Sequence, residues 1–303
     1  MEDQLAVFLG SSLRLAMPLI LAAAGELVSE RAGVLNLSLE GLMLTAAFAG
    51  AFGSWASGSP MVGVLCGMAA VMPVAALQGF LSVKLRANQL VVGIGLNILA
   101  LGATTLLYRQ VFGPLSREVI PGFAPLRVPF LSDVPILGPA LFQQVPLVYV
   151  GFVLVFTIGL ALRFTAWGLA VTAVGENPRA ADQAGISVPL VRFWAVLVAG
   201  AMAGLAGVFI SVGDIHTFTE NMTNGAGYIA IVAVIFGGWR MLPTIGACLL
   251  FGAATALQFQ LPDVGVPTAL LIMLPYLLAL LAVGGLVGRN DPPSALTVPY
   301  QRG

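Results

Sequence analysis

Residues 41–83 read GLMLTAAFAGAFGSWASGSPMVGVLCGMAAVMPVAALQGFLSV, 43 consecutive positions without Asp, Glu, Lys or Arg. An α-helix rises 1.5 Å per residue, so about 20 apolar residues cross a ~30 Å hydrocarbon core. The stretch therefore holds two crossings, broken at Gly58-Ser59-Pro60, where Gly and Pro favour a turn. Outward from it the pattern continues. Charge-free runs cover Asn88–Tyr108 (21 residues), Val134–Leu162 (29), Phe193–Gly213 (21), Asn221–Trp239 (19), Met241–Pro262 (22) and Val264–Gly288 (25).

The composition agrees. Of 303 residues 59% are apolar and 9% charged, with 13 basic and 13 acidic residues. Soluble domains carry roughly 25% charged residues, so an ordinary soluble protein is excluded. Disorder is excluded as well, because it requires low hydrophobicity and high charge. A neutral chain whose one lysine is Lys84 has no basic footprint for nucleic acid. The expected fold class is an all-α polytopic integral membrane protein, one membrane domain over 1–303.

Nine spans are expected at 5–28, 37–56, 61–83, 91–108, 145–162, 193–212, 227–238, 242–260 and 266–287, within a range of eight to ten. The 227–238 segment is short and Gly-rich, which suits a broken or re-entrant helix. Glu2 and Asp3 stand where a signal peptide carries basic residues, so the first segment reads as a retained helix. With a cytoplasmic C-terminus, nine basic residues fall inside and three (Arg109, Arg117, Arg127) outside, as the positive-inside rule requires. The long outside loop is then 109–144 and the longest inside loop 163–192.

Cys66 and Cys248 both fall within expected helices and read as small packing residues. No Cys/His cluster suggests a metal. Pro60-x-x-Gly63 with Ala76-Leu77-Gln78-x-Phe80 recurs as Pro243-x-x-Gly246 with Ala256-Leu257-Gln258-Phe259. The copies run in opposite directions under this topology. They mark either an inverted repeat (about 37–108 and 193–287), as in many transporters, or chance between Ala/Leu/Gly-rich helices.

The inside loop contains Gly175-Glu176-Asn177-Pro178-Arg179-Ala180-Ala181-Asp182-Gln183-Ala184-Gly185-Ile186. Asn177 is a good N-cap. Pro178 suits N1, where an N–H is not needed. Ala180, Ala181 and Ala184 propagate a helix, and Gly185 suits the left-handed C′ position. A two-turn helix is unstable alone in water, so it packs either on its own bundle or on a partner.

This loop resembles the coupling segment of bacterial ABC importer permeases of the branched-chain amino acid/simple-sugar type. Two further blocks, Gly25–Gly41 (GELVSERAGVLNLSLEG) and Leu131–Pro139 (LSDVPILGP), are most similar to the nucleoside (guanosine-type) permease subfamily. The resemblance runs from about Leu13 to Gly288. It implies a permease domain in a bacterial inner membrane, paired with a second permease chain as a homo- or heterodimer. It also implies an ATPase subunit on the cytoplasmic face and an extracytoplasmic substrate-binding (lipo)protein. Residues Gly175, Glu176, Asn177, Pro178, Arg179, Ala180, Ala181, Ala184 and Gly185 would form the lever seated in the ATPase. No Gly-x-x-x-x-Gly-Lys-[Ser/Thr] occurs, so ATP, the only cofactor implied, is used by a separate subunit and this chain is not an enzyme.

Polar residues inside spans usually mark function or a pathway. Glu26 and Glu40 sit near span ends, where Glu40 has Arg31 or helix N–H groups as partners. Asn36 is a candidate N-cap of the second helix. Asn97 is central to its span and needs a neighbouring helix or a substrate to satisfy it. Thr223, Asn224 and Tyr228 lie in a Gly-rich approach to the short helix. Asn36, Glu40, Asn97, Thr223, Asn224 and Tyr228 are the candidate translocation-pathway residues. His216 reads as a surface residue. The scarcity of intramembrane charge suits a neutral polar solute, nucleoside or sugar. An ion-coupled secondary transporter working through Glu26 or Glu40 is the competing reading.

Overall fold

A computed structural model describes residues 2–113, 118–132, 134–260, 268–281 and 291–301. The first helix, α1 (Glu2–Arg31), is followed by α2 (Leu39–Ser57) and α3 (Pro60–Gly79), which runs on as a π turn through Lys84. Next comes α4 (Gln89–Val111). The long connection beyond it holds β1 (Leu126–Arg127), α5 (Leu137–Phe142) and β2 (Gln143–Gln144). The two short strands pair antiparallel, Leu126 opposite Gln144. After them run α6 (Pro146–Phe164), α7 (Ala166–Glu176), α8 (Pro178–Gln183) and α9 (Val188–Val208), the last extended by a π turn through Ile215. The described helices end with α10 (Ala226–Phe236), α11 (Met241–Gln260) and α12 (Thr268–Leu281).

The chain is all-α and polytopic. Among the described residues six helices are long and apolar enough to cross a membrane: α1, α3, α4, α6, α9 and α11. Three of the nine expected spans fall short of that measure. Helix α2 has 19 residues but carries Glu40 in its first turn and is dense in Gly, Ser and Ala. Helix α10 has 11 residues, about 16 Å, half of a ~30 Å core. The expected span 266–287 lies partly outside the described residues, which include 14 of its residues as α12.

The centre of the bundle is α1, α2 and α9. Helix α1 packs on α9, α10 and α11, and α2 packs on α3, α4 and α9. Close approach, not bulk, holds these contacts. A Cβ on Gly25 of α1 would stand 2.7 Å from Met202 Cβ of α9, and one on Gly252 of α11 2.5 Å from Ala16 Cβ of α1. Without a hydrophobic driving force between helices in lipid, such small-residue contacts supply the van der Waals packing. Cys248 is buried and Cys66 half-buried, both free, as expected of packing residues.

Two differences from expectation concern the loops. The expected inside loop, 163–192, is mostly helical, because α7 occupies its first half; this 11-residue apolar segment is too short to register as a span. The expected outside loop, 109–144, folds back onto the bundle through its described residues 118–121. Ser54 donates to the Pro121 carbonyl, the Trp55 indole to Glu118, and the Ile120 N–H to the His216 carbonyl. His216 is consequently a half-buried anchor at positive φ, stacked against Gly122, and not a surface residue.

Candidate functional site

Glu40, in the first turn of α2, points across to the start of α10. Its carboxylate accepts hydrogen bonds from the Thr223 hydroxyl, Gly225 N–H (2.8 Å) and Gly227 N–H (2.7 Å). The first N–H groups of a helix lack internal acceptors and carry partial positive charge, so an anion is favoured there. Of the two partners the sequence offered, helix N–H groups are the ones used, and they belong to α10. Gly227 is required by this approach, since a Cβ would lie 2.5 Å from the Glu40 nitrogen.

Asn97 sits beside this junction. Its Oδ1 accepts from Gly41 N–H (2.7 Å), and its Nδ2 donates to the Leu37 carbonyl (2.7 Å) and the Tyr228 hydroxyl (2.8 Å). Asn224 contributes its carbonyl to the Tyr276 hydroxyl at 2.9 Å. Five of the six pathway candidates therefore meet at one place, where α2, α4 and α10 converge. Glu40, Asn97 and Thr223 are buried, whereas Asn224 and Tyr228 are exposed.

Asn36 belongs to a neighbouring network. Its backbone N–H donates to Glu26 (2.8 Å), and its Oδ1 accepts from the Ser38 N–H and hydroxyl. The N-cap position of α2 is Ser38, two residues later than expected, because Asn36 closes its own turn around Ser38 instead. The segment 34–38 is irregular backbone buried in protein, the setting in which such backbone is tolerated at membrane depth. Sequence reasoning missed Glu30, which accepts from the Trp239 indole, a partner 209 residues away with no local signature.

At the end of the molecule that carries Arg31 and Arg192 lies α8. Asn177 Oδ1 accepts from Ala180 N–H (3.1 Å), Pro178 fills the first turn, and Gly185 adopts φ +86°. Each position plays the role its residue type suggested. Ala181 is buried against Val174 and Val188, with Ile186 and Tyr300 around them. Arg179, Ala180, Gln183 and Ala184 remain exposed, a shallow face with one cation. The base beneath is tight: a Cβ on Gly175 would stand 1.9 Å from the Arg31 carbonyl oxygen. Glu176 Oε2 accepts from the Ser294 hydroxyl at 3.0 Å.

Residues 8–283 match the family described as the branched-chain amino acid transport system / permease component. The chain belongs to this family. It is 36% identical to the guanosine ABC transporter permease protein NupQ of Bacillus subtilis, covering 99% of this chain and 98% of that protein. It is 30% identical to the nucleoside ABC transporter permease protein NupC of Lactococcus lactis, over 98% of each. The glucose ABC transporter permease protein TsgB13 of Haloferax volcanii is 28% identical over 88% of this chain and 74% of its own length. No solved structure matches. With the apolar helices of the bundle, family membership makes the chain a multi-pass membrane permease. Among the described residues no cluster of His, Cys, Asp and Glu is suited to a metal.

Proposed function

We propose that this permease is the non-catalytic membrane subunit of an ATP-driven importer in a bacterial inner membrane, and that its solute is a nucleoside. Near-complete coverage of a guanosine permease carries the substrate class; the likeness to a glucose permease makes a simple sugar the second reading. The partners are an ABC ATPase, a second permease chain and an extracytoplasmic binding protein.

Helix α8 is the coupling lever. Its exposed face, Arg179, Ala180, Gln183 and Ala184, suits a groove on the ATPase, and its buried Ala181 and the Gly175 contact tie it to α1, α7 and α9. Movement of the lever then passes into the bundle without a flexible joint. The pathway is faced by Tyr228 and Asn224, while Glu40, Asn97 and Thr223 hold the start of α10 in place. A half-length helix with its N-terminus at mid-depth is a common way to build a transporter site. Nine crossings, an outside N-terminus and an inverted repeat relating the α3 and α11 regions complete this reading.

Reconstituted with its ATPase and binding protein, the permease is expected to take up labelled guanosine only with ATP. Arg179→Glu is expected to lower ATPase co-purification and uptake together. Uptake by this chain alone, driven by a proton gradient and indifferent to ATP, overturns the proposal in favour of a secondary transporter.

A further inference from the structure

Between α6 and α11, with α1 as its floor, runs a groove of about 490 Å³. Its walls are apolar, and its outer edges, Phe156 and Leu242, are 68% and 80% exposed. Three arginines, Arg31, Arg163 and Arg240, line the same groove, and none of its lining residues is acidic.

The nearby carboxylates lie outside the groove lining, and Glu176 offsets part of the charge on Arg31. Glu30 accepts from the Trp239 indole and Glu176 from the Ser294 hydroxyl, so neither carboxylate points into the groove. Arg31 Nε donates to the Trp239 carbonyl at 2.9 Å, and Arg163 lies over the Phe164 ring at 5.2 Å. Among the described residues neither Arg163 nor Arg240 forms an ion pair, and both are exposed. A groove lined by three cations and no acidic residue, two of those cations without an ion pair, attracts an anion.

We propose that this groove binds an anionic phospholipid, its phosphate among Arg31, Arg163 and Arg240 and an acyl chain along the wall between Phe156 and Leu242. The shape of the chemistry selects the occupant. A soluble anion would satisfy the arginines and leave the apolar walls bare; a neutral lipid would cover the walls and leave the charges unmatched. Basic pockets between transmembrane helices recognise anionic headgroups in this way. The groove lies at the end of the molecule that carries α8, so the lipid would brace α1, α6 and α11 where the lever joins the bundle. The inference rests on membrane residence alone and not on the solute or the ATPase.

The test is native mass spectrometry of the full chain, extracted with its co-purifying subunits and offered phosphatidylglycerol or phosphatidylcholine of identical acyl chains. Phosphatidylglycerol is expected to be retained roughly tenfold better. Arg163→Gln with Arg240→Gln, both at exposed positions that tolerate change, is expected to abolish the preference. Arg86→Gln, outside the groove, is expected to leave it intact. Gly159→Trp, which obstructs the apolar wall, should lower retention of both lipids. Equal retention of the two lipids, or a preference that survives the double substitution, overturns the proposal. So does inorganic phosphate binding as tightly as the lipid. A disulfide from Leu242→Cys to another subunit in intact membranes would likewise show a protein occupant.

Discussion

Glu40 is the residue on which the start of α10 depends. It is nearly buried and accepts from one hydroxyl and two backbone N–H groups that have no other acceptor. Each buried donor left unpaired costs about 1–3 kcal/mol. Glu40→Ala is therefore expected to destabilise the permease by several kcal/mol, and Glu40→Gln by less, since one acceptor oxygen remains while the charge opposite the helix N-terminus is lost. Thermal unfolding in detergent should rank them wild type, Gln, Ala. Guanosine uptake should fall in the same order, while association with the ATPase, proposed to run through α8, persists. A carboxylate in an apolar run announces itself in the sequence, and so does Asn97. What cannot be read there is the partner: Glu40 and Thr223 are 183 residues apart, and only the packing of α2 on α10 brings them together. Gly175 poses the same problem in reverse. Nothing local distinguishes it from the other glycines, yet Gly175→Val must push α7 off the Arg31 carbonyl, which is backbone and does not yield. That substitution is expected to lower both stability and ATP-dependent uptake, with expression checked by size-exclusion chromatography.

At the scale of elements, α8 was fully legible and α7 was not. The signals of α8 are local: Asn177 at the cap, Pro178 behind it and Gly185 at the stop each obey short-range sterics and hydrogen bonding. Helix α7 has equally good helix formers, but 11 residues are too few to register as a span and too apolar to be separated from a loop by charge. The short α10 was visible through its glycines, though its role as the partner of Glu40 was not. Because α8 is only six residues long, its cap matters more than it would in a long helix. Asn177→Ala is expected to cost about 1 kcal/mol and to weaken ATPase co-purification. Asn177→Asp or Asn177→Ser, which keep the capping oxygen, should restore it. If the Ala variant bound the ATPase as well as wild type, α8 would not have to be preformed for coupling.

For the molecule as a whole, the segment 291–300 joins elements that are far apart in the chain. The Ala295 N–H donates to the Gly175 carbonyl and the Thr297 N–H to the Gly33 carbonyl, at 2.8 and 3.2 Å. Arg192, 3% exposed, donates to the carbonyls of Ala32, Ala295 and Val298. A buried guanidinium held only by neutral carbonyls depends on having enough of them, because each replaces part of the lost hydration. Deleting residues 291–303 removes two of Arg192's three acceptors and frees Gly175 and Gly33 at the base of α8. The deletion is expected to destabilise the permease by a few kcal/mol, of the order found when one partner of a buried charge is removed. Arg192→Leu in the full chain is expected to cost a comparable amount, by orphaning the same carbonyls. Combined, the two changes should cost clearly less than their sum, since the truncated chain no longer presents Ala295 and Val298 to an arginine. Melting temperatures of the four proteins, measured in one detergent, form the cycle. Strict additivity would mean that Arg192 and the segment 291–300 stabilise the end of the molecule that carries α8 independently, and the segment would then transmit nothing between α1, α7 and α9.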